Sequence, residues 1–84
     1  MDYYAFHYDK GRLPNLSEER KEAIKKGIEV ATAKSQGVVF QGAMFHPSSG
    51  TGVFHFQASS RSDIMDILDS LAIPYDTVDP VFPL

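Results

Sequence analysis

GVFHFQASSRSDIMDILDSLAIPYDTVDPVFPL, residues 52–84, is the stretch whose reading decides the fold. Val53-Phe54-His55-Phe56-Gln57 has the β-branched and aromatic content of a strand. Ser60, with Asp63 as its capping partner, opens a helix. Ile64, Ile67, Leu68 and Leu71 then recur at helical spacing as one apolar stripe. Pro74-Tyr75 stops the helix, and a further strand is expected from about Tyr75 to Asp79.

Working outward, Val38 to His46 reads as a strand that returns through the turn signal Pro47-Ser48-Ser49-Gly50-Thr51-Gly52 into Val53 to Ala58. A helix precedes it. Asn15 can cap that helix with Glu18 as capping-box partner, or Ser17 is the cap. Glu18 and Glu19 in the first turn and Lys25, Lys26 and Lys34 further on suit the helix dipole. Ala23, Ile24, Gly27, Ile28 and Ala31 form its expected buried stripe. Gly27 costs about 1 kcal/mol relative to Ala in mid-helix. Either a close backbone approach to the sheet explains it, or the position is unoptimised. Gly37 stands where a helix C-cap is expected. Aromatic-rich Asp2 to Tyr8 is a first strand, followed by a loop from Asp9 to Pro14.

The order is therefore β-α-β-β-α-β, the split β-α-β or ferredoxin-like arrangement. Right-handed crossovers give strand order 4-1-3-2, all antiparallel, in one α+β domain spanning residues 1–84. A domain of 84 residues buries a small core, and small domains lean on disulfides, metals or oligomerisation. The chain has no cysteine, which excludes disulfides, thiolate zinc sites and thiol nucleophiles. The formal charge of −3 argues against nucleic acid or an anionic membrane as partner. No apolar run approaches a membrane span, and Met1-Asp2-Tyr3-Tyr4 lacks a signal-peptide pattern, so a cytoplasmic setting is expected.

Two helices cover only one face of a four-stranded sheet. A water-exposed second face should alternate apolar with polar residues, and these strands do not alternate cleanly. Strand one divides into Tyr4, Phe6 and Tyr8 against Tyr3, Ala5 and His7. Strand two divides into Phe40 and Met44 against Val39, Ala43 and Phe45. A semi-apolar face marks an interaction surface, so a homodimer or higher homo-oligomer packed sheet to sheet is expected. The apolar finish Pro80-Val81-Phe82-Pro83-Leu84 is expected against the partner or at the barrel edge.

The block from Gly52 to Leu84 resembles the muconolactone isomerase-like branch of the dimeric α/β-barrel superfamily. The shared pattern is a second helix ending in Leu, then Pro-Tyr, an acidic strand and a Pro-Leu terminus, here DILDSLAIPYDTVDPVFPL. The resemblance covers the C-terminal part by motif and the remainder by element order. It implies a homodimeric or larger barrel with a pocket between helix layer and sheet in each subunit. Cofactor-free isomerases, cyclases and oxygenases are among its relatives, as are proteins of no known activity. It carries no catalytic residue onto this chain.

Three histidines hold the candidate chemistry. Strands one and three are central neighbours, so His7 and His55 are expected at one end of the sheet. By parity both point away from the helices if Phe6, Phe54 and Phe56 point toward them. Gln57 shares that face, His46 closes strand two nearby, and Tyr75 or Thr77 flanks His7. His7 and His55 are then candidate catalytic acid and base, because imidazole titrates near neutrality. Tyr3, Phe45, His46, Gln57 and Tyr75 are candidate substrate-binding residues, with Tyr4, Phe6 and Tyr8 completing an aromatic lining. The plainer reading makes both histidines interface groups bonded to each other or to backbone.

Other chemistries fit poorly. No histidine pair has helical metal spacing, and Asp9 and Asp79 are poor ligand candidates, so no metal or cofactor is expected. Ser48-Ser49-Gly50-Thr51-Gly52 joins strand to strand without a Lys, unlike a phosphate loop. The stacking positions of an RNA-recognition sheet would fall on Thr51 and Val53, which cannot stack. The expected function is a cofactor-independent isomerase or cyclase. It would move protons on a hydrophobic aromatic or carbonyl-bearing small molecule. The alternative is a non-catalytic ligand-binding or assembly module.

Overall fold

In the computed structural model the chain forms β1 (Asp2–His7), α1 (Glu18–Lys34), β2 (Val39–His46), β3 (Thr51–Gln57), α2 (Arg61–Ser70) and β4 (Thr77–Val81). Residues 1–7, 17–35, 37–46 and 51–84 are described. Asn15 as a cap, Tyr8 as a lining residue, the loop from Asp9 to Pro14 and turn residues 47–50 lie outside the described residues. The sheet runs β2-β3-β1-β4 with every neighbouring pair antiparallel, which is the expected 4-1-3-2 order.

Residues directly opposite in a ladder share a face. Tyr3 pairs with Phe56, Ala5 with Phe54 and His7 with Gly52. Ala5 also pairs with Val78. Tyr3, Ala5, Phe54, Phe56 and Val78 are buried in one cluster with Ile28 of α1 and Ile64, Ile67 and Leu68 of α2. Both helices therefore sit on this face and seal the core against it. Phe6 pairs with Val53 and Thr77, on the opposite face. The expectation that Phe6 joins Phe54 and Phe56 beneath the helices is overturned, because Ala5 holds that register position.

β2 departs from simple alternation. Phe40 pairs with Phe56 and Gly42 with His55, so Gln41 is an extra residue in the ladder. Gly42 has φ +145°, a backbone region that side-chain-bearing residues rarely adopt. The bulge turns Phe40, Ala43 and Phe45 to the helix face and Val39 and Met44 to the open face. Phe40 and Met44 thus part company, contrary to strict parity.

The helix ends follow local chemistry. Ser17, not the alternative further upstream, caps α1, its Oγ accepting the Arg20 N–H at 3.2 Å. Ile28 is buried and Ile24, Gly27 and Ala31 are half-buried, but Ala23 is exposed and falls outside the stripe. A Cβ at Gly27 would lie 3.4 Å from Leu71 Cδ2, an ordinary contact with the end of α2. The sheet does not require glycine there, and the position is simply unoptimised.

Ser60 caps α2, accepting from the Asp63 N–H at 3.4 Å. At the other end Ile73 N–H donates to Leu68 O at 3.0 Å and Ala72 N–H to Asp69 O at 3.1 Å. This is a Schellman motif with Ala72, at φ 54°, in the left-handed position that glycine usually fills. β4 begins at Thr77 rather than Tyr75. Pro80 is tolerated inside it because β4 is an edge strand.

Candidate functional site

His7 is the last residue of β1, on the helix face, and its side chain is fully buried. Asp76 reaches it from the segment entering β4. Asp76 N–H donates to Phe6 O at 2.7 Å, which extends the β1–β4 ladder by one position. Its Oδ2 stands 3.4 Å from His7 Nδ1. Neither ring nitrogen of His7 has a hydrogen-bond partner among the described residues. The carboxylate contact is an approach between charge and ring rather than a formed bond.

Across β1 from Asp76, Gly52 faces His7. Phe45 faces Gly52 from β2, and its ring covers the glycine. A Cβ on Gly52 would come 2.8 Å from Phe45 Cδ1 and 3.3 Å from Met44 O. The same ring meets Phe54 edge-on at 5.6 Å. One row across the sheet thus reads Asp76, His7, Gly52 with Phe45 folded over it. Tyr75 is half-buried and packs on the same core. Burial, and then a hydrogen bond with Asp69, push its phenol above the ordinary range.

A carboxylate beside one imidazole nitrogen orients the ring and selects its tautomer. With Nδ1–H toward Asp76, Nε2 is left as an acceptor able to take a proton from a ligand. Phe45 supplies an apolar wall at this row, and the imidazole and the Asp76 carboxylate supply its polar groups.

The second histidine lies elsewhere. His55 pairs with Tyr4, three residues along β3 from Gly52, and so points to the open face. Its Nε2 is 3.0 Å from Asp2 Oδ1, and both side chains are about a third exposed, at 35% and 37%. Tyr4 stacks edge-on against the His55 ring at 4.9 Å. Hydrogen bonds from His55 and then Gln57 hold the Asp2 carboxyl below the ordinary carboxylate range. Gln41, the bulge residue, donates to Gln57 Oε1 at 3.2 Å and ties the edge strand to this cluster.

His7 and His55 therefore do not share a face, contrary to the parity expectation. An antiparallel register opposite Ala5 rather than Phe6 reverses the assignment for strand one alone. The expected lining residues divide the same way. Phe45 and Tyr75 are on the side of His7. His46 and Gln57 are on the open face with His55, and both are exposed. Tyr3 is buried on the helix face, but about 13 Å along β1 from His7, counting roughly 3.3 Å per residue. Thr77, expected beside His7, lies on the open side opposite Phe6.

Asp76, Asp2 and Gly52 are the partners that sequence reasoning missed. Aligning the acidic start of strand four against the end of strand one would have found Asp76. The pairing of Tyr4 with His55 sets Asp2 diagonally beside the imidazole, but only once that register is known.

A groove of about 490 Å³ lies between the end of α1 and α2, floored by Val38, Ala31 and Ile67 and rimmed by Lys34, Asp63 and Asp66. Neither histidine lines it, so it is not the expected histidine pocket. Among the described residues no group of three or more His, Asp and Glu could hold a metal ion. Among the described residues no helix is long and apolar enough to cross a membrane.

No family model matches the chain, and no curated protein matches it in sequence. Among solved structures, the crystal structure of SCO4226 from Streptomyces coelicolor A3(2) is similar over 100% of this chain and 98% of that one. The TM-score is 0.81 at 19% identity, which shows a shared fold and nothing of activity.

Proposed function

We propose that this chain is a small cofactor-independent enzyme of the isomerase or cyclase type. It moves a proton on a hydrophobic aromatic or carbonyl-bearing small molecule. His7 is the general acid or base, Asp76 orients its ring, and Phe45 and Tyr75 line the apolar side. One observation carries this reading. A fully buried imidazole stands 3.4 Å from a carboxylate, with no hydrogen bond formed at either ring nitrogen among the described residues. An uncompensated buried polar group costs about 1–3 kcal/mol, which an apolar residue at the same position would avoid. Keeping such a group makes sense where a ligand completes its bonding.

The working unit is a homodimer or higher homo-oligomer, built as a dimeric α/β barrel through the open sheet face. Half-buried Tyr4, Phe6 and Val53 together with exposed Val39 and Met44 support this.

The test is a histidine-resolved NMR titration of the full chain with a panel of lactones, aromatic acids and β-dicarbonyl compounds, followed by turnover assays on those that bind. The expected result is a ligand that shifts the His7 ring signals and is converted. His7→Ala should then lose about 100- to 10,000-fold in rate, the usual contribution of a general acid or base. Conversion that survives His7→Ala, or a panel that never perturbs His7, would sink the reading.

A second reading, a non-catalytic ligand-binding or assembly module, is favoured by the His55–Asp2 pair. That pair lies on the open face, away from the apolar wall around His7. It predicts ligand or self-association effects at Tyr4, His55 and Gln57 without turnover.

A further inference from the structure

The groove between α1 and α2 lies at the end of the sheet remote from His7. Val38 leads into Val39, whose row across the sheet holds Gln57 and Asp2, at the start of β1. The floor is aliphatic and closed. Val38 and Ile67 are each about nine-tenths buried or more, at 5% and 5% exposure, and Ala31 is half-buried beside them. Among the described residues no aromatic side chain lines it.

Its two walls carry opposite charge. Lys34 stands in the last turn of α1, and Asp63 and Asp66 stand one turn apart on α2. Lys34 and Asp63 each suit the helix end on which they lie. That reason does not extend to Asp66 in the second turn, because the dipole fades within the first. Among the described residues no ion pair joins Lys34 to either carboxylate. Asp63 is held on its own side instead, its Oδ2 accepting from Ser59 Oγ at 3.4 Å. Opposite charges thus stand apart across an apolar floor.

We infer that this groove binds a small zwitterion with an aliphatic body, an α-amino acid of the leucine type. Its ammonium group lies against Asp63 and Asp66, its carboxylate against Lys34, and its side chain on Val38, Ile67 and Ala31. The inference does not rest on the chemistry assigned to His7.

Charge decides among the possible occupants. A simple anion would satisfy Lys34 but meet two carboxylates. A simple cation would satisfy the carboxylates and meet Lys34 as a like charge. An uncharged apolar molecule would cover the floor and draw water away from three charges without replacing it, which is costly. A zwitterion alone offers each wall its opposite. The volume of about 490 Å³ falls in the range of small-molecule sites, and an aliphatic floor without a ring suits an aliphatic body. Lys34 and Asp66 are exposed, so each charged contact is a rim contact of modest strength. A ligand of this size held there binds on the order of 1 mM.

NMR titration of the full chain with L-leucine tests this. Signals of Ala31, Val38 and Ile67 should shift and saturate, while the His7 ring signals stay in place. N-acetylleucine lacks the ammonium charge and leucinamide lacks the carboxylate. Each should bind about two- to fivefold more weakly than leucine, the range for one exposed ion pair. Lys34→Gln should weaken leucine by the same factor without weakening leucinamide. Asp66→Asn should weaken leucine and leucinamide alike without weakening N-acetylleucine. Both positions are exposed, so neither substitution threatens the fold.

No saturable shift at these residues up to about 50 mM leucine, well above the expected dissociation constant, overturns the proposal. So does either derivative binding as tightly as leucine, or Lys34→Gln weakening leucine and leucinamide equally. None of these failures bears on proton transfer at His7, which is read from its own ring signals and from turnover.

Discussion

Replacing His7 by leucine should stabilise the protein. The ring is fully buried, and neither nitrogen is hydrogen-bonded among the described residues. Relieving an unsatisfied buried polar group is worth about 1–3 kcal/mol, and the approach to Asp76 at 3.4 Å returns about 0.5–1.5 kcal/mol of that. A near-isosteric shape change in the core costs less than about 1.5 kcal/mol. Central values leave a net gain of only about 0.2–0.3 kcal/mol for His7→Leu. Urea unfolding near neutral pH, followed by circular dichroism, reads this directly. With a slope of about 1 kcal/mol per molar urea, typical at this size, the midpoint should rise by about 0.2–0.3 M. His7→Ala separates the terms, because it also removes the polar group but leaves a cavity, and it should lose about 2 kcal/mol or more. If His7→Leu lost more than about 2 kcal/mol as well, the imidazole would be a structural group with satisfied bonds. His7 would then be retained for stability and not for a ligand.

Ala72→Gly should add about 0.5–1 kcal/mol, since glycine meets no Cβ penalty at φ 54° but loses more freedom on folding. Thermal melting should show a rise of about 2–6 °C, and an unchanged or lower midpoint would contradict the Schellman assignment. Gly52→Ala forces the Phe45 ring away from 2.8 Å contact and off its edge-on seat against Phe54, costing about 1–3 kcal/mol. A neutral result in the same melt would mean that the ring does not cover the site. Asp2 bears on acid stability. Its carboxyl is depressed by His55 first and Gln57 second, so its contribution is fully present above the ordinary value of 3.8. That contribution is lost as pH falls through the lower folded value. Asp2→Asn should flatten the acid limb of a melting-versus-pH profile, and an identical limb would exclude the coupling.

The element order was legible because each element carries a local signal strong enough to stand alone. Ser60 with Asp63, the 64-67-68-71 stripe and Pro74 delimit α2 without reference to anything distant. The sheet order followed from that list and the handedness of crossovers. What the sequence did not disclose was relative phase. Every strand alternates, but alternation says which residues share a face within one strand and not which face it is. Phe6 and Ala5 were equally good apolar neighbours for Phe54, and only the ladder chooses Ala5. In β2 even the internal phase was hidden, because nothing before Gly42 advertises that Gln41 is inserted. The stripe of α1 failed at Ala23 for a similar reason, since alanine carries too little apolar area to mark a buried face.

The error in phase is also what exposes the logic of the site. Had both histidines shared the open face, each would have been a wet, half-paired group and a plain surface explanation would serve for both. The ladder instead gives two histidine–carboxylate pairs in two dielectric settings, separated by the sheet itself. The His7 ring is buried on the helix face, with the more exposed Asp76 carboxylate at its edge, and an unmade hydrogen bond at that ring is costly. His55 with Asp2 is a third exposed, where the pair is satisfied, screened and worth little until something covers it. On the proposed reading the inner imidazole moves the proton and the outer pair serves recognition.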